Sequence, residues 1–440
     1  MSKCDITIIG SGPGGYVAAL YAAGLGKRVV VIEKDKVGGV CLNCGCIPTK
    51  AIIASVNALR AARSAPVFGI EIGSYRADYS RIRSRKDEVV AALTKGIESL
   101  FKAKKIELKR GFGRIIDRGV VEVNGERIES QDIIIAAGTS PAELAGFKFD
   151  KLRVLSSADM LEIERLPGKL LIVGGGVNGC EYAYIYASLG VKVTVVEMMD
   201  RLLPAMDREL GKEMEILLKG LGVTIMTKTK LDKTSAEYDK TVICIGRKYN
   251  TEGLGLEKAG IKKEKNRISV DETLRTSAQN IYAVGDVKGG YLLAHVASHE
   301  GIVACDNIAG RARKMDYDAI PLCVYTDPEM ASVGLTEEEA RQKEITVKTA
   351  KFPFRGIGKP HITNEKEGFI KIVGEAESGE TLGIQMLGSG AALLAGEAGV
   401  IVRNKMKIED ICGLIHAHPT LSEVFTEAAF VYNKTPLHSI

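Results

Sequence analysis

The chain of 440 residues contains the same strand, glycine loop, helix and strand unit twice, and this repeat limits its fold more than any other feature. In the first unit an apolar strand at 5–9 leads into the loop 10–15, a helix is predicted over 16–26, and a second strand at 28–32 precedes an acidic residue. Such a unit rests the pyrophosphate of a dinucleotide on the helix N-terminus, while the acid accepts hydrogen bonds from a ribose hydroxyl. The residues predicted to hold the first dinucleotide are Gly10, Gly12, Gly14, Gly15 and Glu33.

The second unit repeats the first in detail. A strand at 169–173 leads into the loop 174–179, and after a helix a strand at 191–196 again precedes a glutamate. In both units the first glycine precedes that acid by 23 positions, from 10 to 33 and from 174 to 197. The residues predicted to hold the second dinucleotide are Gly174, Gly176, Gly179 and Glu197. The sequence therefore predicts an α/β protein with two Rossmann-like domains.

A cluster of three cysteines follows the first unit. Cys41, Cys44 and Cys46 fall within six residues, ahead of Pro48 and Lys50. Proline suits a first helical turn, and a thiolate is stabilised by a helix N-terminus and a nearby lysine. The alternatives are a structural metal site and buried thiols without chemistry. Because a metal site would need a second ligand cluster and no other Cys-x-x-Cys exists, we predict a redox centre and no metal.

The thiols and the two nucleotides need a carrier between them. A nicotinamide passes a hydride, a disulfide is opened by nucleophilic attack, and a flavin accepts a hydride and also forms a transient bond to a thiolate. Cys41 lies only eight positions beyond Glu33. The first dinucleotide is therefore predicted to be FAD and the second to be NAD.

Composition restricts the other classes of function. The length predicts about three domains, and the net charge of +5 is small for this length. The basic stretch 102–110 alternates with apolar residues and is interpreted as a solvated helix end, so no nucleic-acid partner is expected. No apolar run reaches about 18 residues, and the first strand begins too early for a signal peptide, so no membrane association is expected. Nine cysteines, mostly in apolar segments, fit a reducing cytoplasm.

Further segments have a predicted place in the fold. A strand over 132–137 leads into 138–141, and a buried-strand pattern at 281–286 ends in Asp286. That aspartate is either a turn residue or a contact to the flavin sugar at the carboxyl end of a strand. Residues 316–440 alternate strands with helices, which indicates an α+β domain. The strands predicted there are 319–325, 368–373 and 381–387.

The C-terminal motif 416–423 allows two interpretations. In the first, Thr420 and Glu423 form a capping box that opens a helix over 424–432. In the second, His418 is a general base that Glu423 orients, because thiol chemistry near neutral pH needs a proton acceptor whose pKa lies in that range. Spacing alone does not separate the two roles, and they can coexist.

Together these motifs resemble those of the pyridine nucleotide-disulphide oxidoreductase family, and within it the dihydrolipoamide dehydrogenases. The resemblance runs nearly end to end and rests on the segments 10–15, 38–50, 174–181, 246–247, 283–286, 294–295, 325–329 and 416–423. It implies an FAD-binding domain over 1–141 and 267–315 and an NAD-binding domain over 142–266. An α+β dimerisation domain would follow over 316–440.

The resemblance also implies roles for single residues. Cys41 would be the interchange thiol that meets substrate, and Cys46 the thiol beside the flavin. Lys50 would pair with Glu181 near flavin N5, and Asp286 would hold the ribityl chain. Further cofactor-binding positions implied by the resemblance are Gly138, Ala294 and Gly246.

The implied reaction is oxidation of protein-bound dihydrolipoyl groups by NAD⁺ through FAD and a Cys41–Cys46 disulfide. His418, oriented by Glu423, would act across the interface of a homodimer. The implied partners are a lipoylated acyltransferase or a glycine-cleavage H-type protein. The alternatives are reduction of another disulfide, a diaphorase, and a non-catalytic subunit that only binds FAD.

Three features depart from the family pattern. Cys44 stands where the family usually has no thiol, which raises disulfide shuffling or metal inhibition as possibilities. Ala137 stands where threonine is common, which would loosen a contact near the flavin. The stretch 227–240 looks shortened, as if part of a surface hairpin were missing.

Overall fold

A computed structural model describes residues 2–233 and 235–438, which form three main sheets. In chain order the strands are β1 Ser2–Ile9, β2 Val29–Glu33, β3 Glu107–Arg110, β4 Arg114–Asp117, β5 Val120–Val123, β6 Glu126–Ile135, β7 Thr139–Pro141, β8 Val154–Ser156, β9 Lys169–Val173, β10 Lys192–Val196, β11 Thr224–Met226, β12 Lys240–Ile243, β13 Arg247–Tyr249, β14 Lys263–Glu264, β15 Arg267–Ile268, β16 Ile281–Ala283, β17 Leu322–Val324, β18 Glu329–Gly334, β19 Val347–Pro353, β20 Gly368–Glu375 and β21 Thr381–Gly388. The α-helices are α1 Pro13–Gly24, α2 Gly39–Cys44, α3 Cys46–Ser64, α4 Tyr79–Ala103, α5 Ser157–Met160, α6 Val177–Ser188, α7 Arg208–Gly220, α8 Ala294–Ile308, α9 Glu337–Gln342, α10 Gly358–Ile362, α11 Ala391–Arg403, α12 Ile408–Cys412 and α13 Glu423–Tyr432.

The first sheet has the order β3-β2-β1-β6-β5-β4, and β16 joins it beside β6. Its central pairs, including β1 with β2 and β1 with β6, are parallel. β2 is buried along its whole length, as expected for an apolar strand covered on both faces. α1 begins at Pro13, earlier than predicted, because proline suits the first helical position, where its missing N–H is not needed.

The second sheet, β11-β10-β9-β12-β8, is parallel throughout. β9 coincides with the predicted strand 169–173, and β10 ends directly before Glu197. Between β11 and β12 the described residues 227–233 and 235–239 form no strand. Thr234, which belongs to the stretch interpreted as shortened, lies outside the described residues.

The third sheet, β17-β18-β21-β20-β19, is antiparallel and carries α11 and α13. Three of its strands overlap the predicted ones, whereas β18 and β19 were missed. β18 is rich in residues of low strand propensity, and lysines interrupt the apolar pattern of β19. Both strands are specified mainly by their neighbours in the sheet and by the core beneath them, which contains Phe352, Phe354 and Phe425.

The interpretation of 102–110 as a solvated helix end is wrong in its second half. α4 ends at Ala103, and Glu107–Arg110 forms β3 at the edge of the first sheet. Lys109 Nζ lies 2.8 Å from a carboxylate oxygen of Glu107 and 2.8 Å from one of Glu126. The alternation of basic and apolar residues in this stretch therefore belongs in part to an edge strand and not to a solvated helix end. A lysine on an edge strand also discourages pairing with other chains.

One segment of the described chain, Gly39–Phe68, is long and apolar enough to cross a membrane, with a mean hydropathy of 1.4. It comprises α2, α3 and a short 3₁₀ turn. The side chains of Ile52, Ile53 and Val56 in α3 pack in the protein core. A core helix of a globular protein meets the same criteria, so the segment is weak evidence for a membrane.

Candidate active site between the nucleotide-binding units

A cavity of about 820 Å³ lies between the first two sheets. It is lined by the first glycine loop, the ends of β2 and β6, the cysteine segment and the turn after β16. Asn178 and Tyr182 of α6 line it from the second unit. A cavity that extends from a glycine loop to a group of thiols has the size and shape for an elongated dinucleotide.

Three glycines of the loop after β1 have little or no room for a side chain. Gly10 has a φ of +101°, and a Cβ there would lie 2.4 Å from the carbonyl oxygen of Ala136. A Cβ on Gly15 would lie 2.0 Å from the carbonyl oxygen of Gly10, and Gly14 packs against Val284. Gly12 precedes α1, and a Cβ there would make only an ordinary contact with the Cα of Gly39, at 4.0 Å. The free N–H groups and positive dipole end of α1 therefore meet the cavity, which fits a pyrophosphate.

The second glycine loop has the same construction. Gly174 has a φ of +109°, and its Cβ would lie 2.5 Å from the carbonyl oxygen of Cys244. A Cβ on Gly179 would lie 1.9 Å from the carbonyl oxygen of Gly174, whereas Gly176 faces open space before α6. The glycines of this loop do not line the large cavity, which only Asn178 of the loop reaches. The two predicted nucleotide sites are therefore separate.

The two acidic residues at the strand ends also correspond. The buried carboxylate of Glu33 accepts the backbone N–H of Ser11 at 2.8 Å, and that of Glu197 accepts the N–H of Gly175 at 2.6 Å. Each also accepts the N–H two residues further along the chain, at 2.8 and 2.7 Å. A carboxylate has about four acceptor positions, so each retains capacity for a ribose hydroxyl.

The predicted redox thiols come together at the junction of two helices. Cys41 lies in α2 and Cys46 begins α3, and the two thiols are close enough to shift each other's pKa. Interaction between the two thiols raises the pKa of Cys41. The same interaction and the charge of Lys50 together lower the pKa of Cys46 to about 7, against burial, which raises it. Cys46 is the more exposed of the two in the single chain, and it faces the cavity. In the reduced pair Cys46 is therefore the thiol that ionises first.

This asymmetry gives a testable pH dependence. In the reduced protein Cys46 should lose its proton around pH 7, two units below the ordinary cysteine value of 9.0, and the thiolate should disappear as the pH falls through 7. Ultraviolet thiolate absorbance, taken as the difference between the parent chain and Cys46→Ser, measures it. Lys50→Met should move the midpoint upward. A midpoint at the ordinary cysteine value would contradict the assignment of Cys46 as thiolate.

Lys50 and Glu181 form the predicted ion pair. Lys50 Nζ lies 2.9 and 2.8 Å from the two carboxylate oxygens of Glu181, whose side chain is 1% exposed. The backbone N–H of Tyr325 donates to the same carboxylate at 3.0 Å, and Lys50 Nζ lies 4.7 Å from the centre of the Tyr325 ring. Residues from all three sheet regions therefore meet beside the thiols.

Cys44 lines the cavity but faces a different set of charges. Burial raises the pKa of its thiol, and the ionisable groups that act on it include Arg247, Asp35 and Glu162. The groups that shift the pKa of Cys44 most do not include the thiol of Cys41 or of Cys46. The residues 2–233 and 235–438 contain no group of three or more His, Cys, Asp or Glu side chains arranged to hold a metal ion.

The remaining predicted cofactor contacts fall into two groups. Asp286, in the turn after β16, lines the cavity together with Gly138 and Ala294. Gly246, with a φ of +128°, lies between β12 and β13, outside the cavity wall. Asp286 accepts a hydrogen bond from the hydroxyl of Thr139 at 2.7 Å. Asp286 is therefore a turn residue, and it also faces the cavity predicted to hold the cofactor.

His418 and Glu423 lie together, outside the cavity of their own chain. His418 Nδ1 is 2.8 Å from Glu423 Oε2, and 75% of the histidine side chain is exposed. The predicted capping box is only half formed, because Glu423 accepts the N–H of Thr420 at 2.7 Å while the Thr420 hydroxyl donates to Ala417. The helix begins one residue earlier than predicted, with Ser422 at its N-cap. Glu423 thus both holds the turn and orients His418.

Three residues of the site had no role predicted from the sequence. Thr139 and Arg247 bond to each other near Asp286, and Tyr325 bonds to Glu181. Arg247 and Tyr325 lie inside segments that carry the family resemblance, so a signal existed for them. Thr139 gave no local signal, because a threonine after a glycine is common in loops.

A pair of neighbouring thiols of unequal acidity beside a dinucleotide cavity is typical of a nucleotide-dependent disulfide oxidoreductase. Family comparison agrees: the pyridine nucleotide-disulphide oxidoreductase model matches residues 4–301, and the dimerisation domain of the same family matches 320–429. The chain belongs to the pyridine nucleotide-disulphide oxidoreductase family, and its dimerisation domain makes it a homodimer. Its cofactors are FAD and NAD(H).

Curated relatives and solved structures match over the whole chain. Dihydrolipoyl dehydrogenases of Bacillus subtilis and Chlamydia pneumoniae are 42% and 40% identical, over 99% of this chain and 99% and 98% of theirs. The crystal structure of LpdA from Mycobacterium tuberculosis has a TM-score of 0.90 at 28% identity, covering 98% of this chain and 99% of that one. The Cu(II) complex of the HOCl-induced flavoprotein disulfide reductase RclA from Escherichia coli has a TM-score of 0.87 at 26% identity, with the same coverage.

Proposed function

We propose that the chain oxidises protein-bound dihydrolipoyl groups to lipoyl with NAD⁺ as acceptor, as a dihydrolipoyl dehydrogenase. The observation that carries the proposal is the pair of thiols Cys41 and Cys46, which line the dinucleotide cavity together beside the ion pair of Lys50 and Glu181. Full-length similarity to dihydrolipoyl dehydrogenases supports the choice of substrate. The partner would be a lipoylated acyltransferase or a glycine-cleavage H-type protein in the cytoplasm.

The chain's own residues account for the thiol chemistry. A substrate thiolate attacks Cys41 Sγ of the disulfide, and the S–S bond breaks to release Cys46 as a thiolate, which its lowered pKa favours. Lys50, within charge range of Cys46, stabilises the negative sulfur. FAD, held by the cavity, supplies the two-electron carrier between the thiols and the nicotinamide.

A proton acceptor is needed for the substrate thiol. His418 has its Nδ1 bonded to Glu423, which leaves Nε2 to take the proton. Because His418 lies outside the cavity of its own chain and is exposed, we propose that it serves the site of the second subunit. The roles of the site residues and the domain bounds 1–141 with 267–315, 142–266 and 316–440 are part of this proposal.

One assay separates this function from its alternatives. The purified protein is titrated with dihydrolipoamide and NAD⁺ while NADH formation is followed, and then with NADH and an artificial acceptor. We expect thiol-dependent NADH formation. A protein that oxidises NADH but ignores dihydrolipoamide would be a reductase of another disulfide, as RclA is named, or a diaphorase. A bound flavin that neither thiol nor NADH bleaches would indicate a non-catalytic subunit.

Glu197 predicts a preference between nicotinamide cofactors. A 2′-phosphate would place negative charge against this buried carboxylate, and like charges in a buried site disfavour binding. We expect NAD(H) to be preferred over NADP(H) by at least about two orders of magnitude in kcat/KM, roughly 2.7 kcal/mol. Steady-state kinetics with both cofactors measure the ratio, and Glu197→Gln should reduce it. Equal rates with the two cofactors would exclude this role for Glu197.

A further inference from the structure

A two-stranded ribbon joins the second nucleotide unit to the cavity of the first. β13, which follows the second sheet, pairs antiparallel with β7, which leaves the first sheet, and Arg247 lies opposite Pro141. The side chain of Asn250 donates to the carbonyl oxygen of Ala137 at 2.9 Å, beside the same ribbon. The ribbon therefore places the guanidinium of Arg247, which belongs to the second unit, at the wall of the cavity in the first unit.

Three side chains form a directed hydrogen-bond chain at that wall. Arg247 Nε donates to Thr139 Oγ1 at 2.6 Å, and its Nη2 donates to the Thr139 carbonyl oxygen at 2.8 Å. Thr139 Oγ1 donates to Asp286 Oδ2 at 2.7 Å. Because a guanidinium only donates and a carboxylate only accepts, the hydroxyl between them has one possible direction.

This arrangement fixes the carboxylate of Asp286. Thr139 is 2% exposed, so bulk water does not compete for its hydroxyl. In the described part of the chain, Thr139 is the hydrogen-bond donor to that carboxylate, and it engages Oδ2 alone. Oδ1 is left to accept a bond from a hydroxyl inside the cavity, which Asp286 lines. A side chain locked in this way loses less rotamer freedom when the ligand binds.

We propose that Thr139 and Arg247 are positioning residues that aim Asp286 at a hydroxyl of the bound FAD. The second nucleotide unit thereby helps to hold the cofactor of the first. This inference rests on the proposed contact between Asp286 and the sugar chain of the flavin. Position 137, where threonine is common in the family, carries an alanine in this chain. The threonine hydroxyl near the flavin is instead that of Thr139.

Release of flavin from the holoenzyme tests the inference without any turnover. The protein is diluted into buffer and the rise of free-flavin fluorescence gives the release rate. We expect Thr139→Val, which keeps the shape and removes the hydroxyl, to release flavin about tenfold faster, the scale for one hydrogen bond to a charged group. Thr139→Ser keeps the hydroxyl and should stay within about twofold of the parent rate.

Arg247 is tested by the same measurement. Arg247→Met should accelerate release because the hydroxyl of Thr139 is then free to rotate away from Asp286. Arg247→Lys should recover only part of the loss, since an ammonium cannot supply both donors of the planar fork. Thr276→Val is the matched control: Thr276 is a buried threonine whose hydroxyl bonds only within its own loop, outside the cavity wall. It should leave the release rate unchanged.

Coupling to Asp286 separates positioning from simple loss of stability. Asp286→Ala should accelerate release by itself, and in that background Thr139→Val should add less than about threefold. If Asp286→Ala has no effect, the proposed contact of Asp286 with FAD is wrong. If Asp286→Ala accelerates release while Thr139→Val and Arg247→Met match the Thr276→Val control, the contact stands and the positioning role is overturned. Equal acceleration by Thr139→Val in both backgrounds would also overturn it.

Discussion

Cys41→Ser and Cys46→Ser should each lose at least about three orders of magnitude in dihydrolipoamide oxidation, roughly 4 kcal/mol or more. Neither variant can form the disulfide that accepts the substrate electrons, because a hydroxyl does not take part in thiol exchange. Cys44→Ser should keep most of the activity, because Cys44 lies in a charge environment separate from that of the other two thiols. Steady-state assays with dihydrolipoamide and NAD⁺ measure all three.

Flavin content is the control for these variants. All three should bind FAD at the parent stoichiometry, because the phosphate cradle is formed by the loop Gly10–Gly15 and not by the thiols. The assignment of the pair fails if Cys44→Ser is inactive while Cys46→Ser turns over. Alkylation of the reduced protein, followed by mapping of the labelled peptide, should identify Cys46 as the thiol that reacts at the lowest pH.

His418→Gln should lose about two to four orders of magnitude in dihydrolipoamide oxidation, the scale of a missing general base. Glutamine keeps a polar side chain of similar reach but cannot accept the proton. Electron flow from NADH to an artificial acceptor should change little, because no substrate thiol is deprotonated in that reaction. An equal loss in both assays would show that the substitution damages the fold or the flavin site.

Mixed dimers test where the base acts. If His418 serves the second subunit, a dimer of one Cys41→Ser chain and one His418→Gln chain contains one complete site. Co-expression with two different affinity tags isolates this mixed dimer, and its activity should approach half that of the parent. Each variant homodimer should be inactive. An inactive mixed dimer would show that base and thiols come from the same chain.

Regular patterns in the sequence predicted the nucleotide-binding parts of the fold well. The spacing of Gly10 to Glu33 and of Gly174 to Glu197 reflects local geometry, because each glycine and each acid contacts its own loop. Strand β9 and the order of strand, loop and helix followed from the same local rules. The pairing of Lys50 with Glu181, 131 positions apart, was expected from the family resemblance and lay beyond any local pattern.

Other parts of the site depend on contacts that no local pattern encodes. β18 and β19 are specified by their neighbours in an antiparallel sheet, and the apolar alternation of 102–110 did not distinguish a helix end from an edge strand. The bond from Thr139 to Asp286 joins residues 147 positions apart, beside a ribbon whose two strands come from different units. Helix α13 begins one residue earlier than predicted, because the side chain of Glu423 accepts the backbone N–H of Thr420 in the preceding turn.

The hydrogen bonds of the Glu181 carboxylate restrict how three parts of the protein can move relative to one another. That carboxylate lies on the helix that opens the nicotinamide site, binds Lys50 of the thiol-bearing helix, and accepts the N–H of Tyr325 from the C-terminal sheet. Rotation of any one of these bodies away from the others would leave a buried charge without its partners, which costs several kcal/mol. The distance between the two proposed nucleotide sites and the thiols therefore cannot change freely without breaking hydrogen bonds of Glu181.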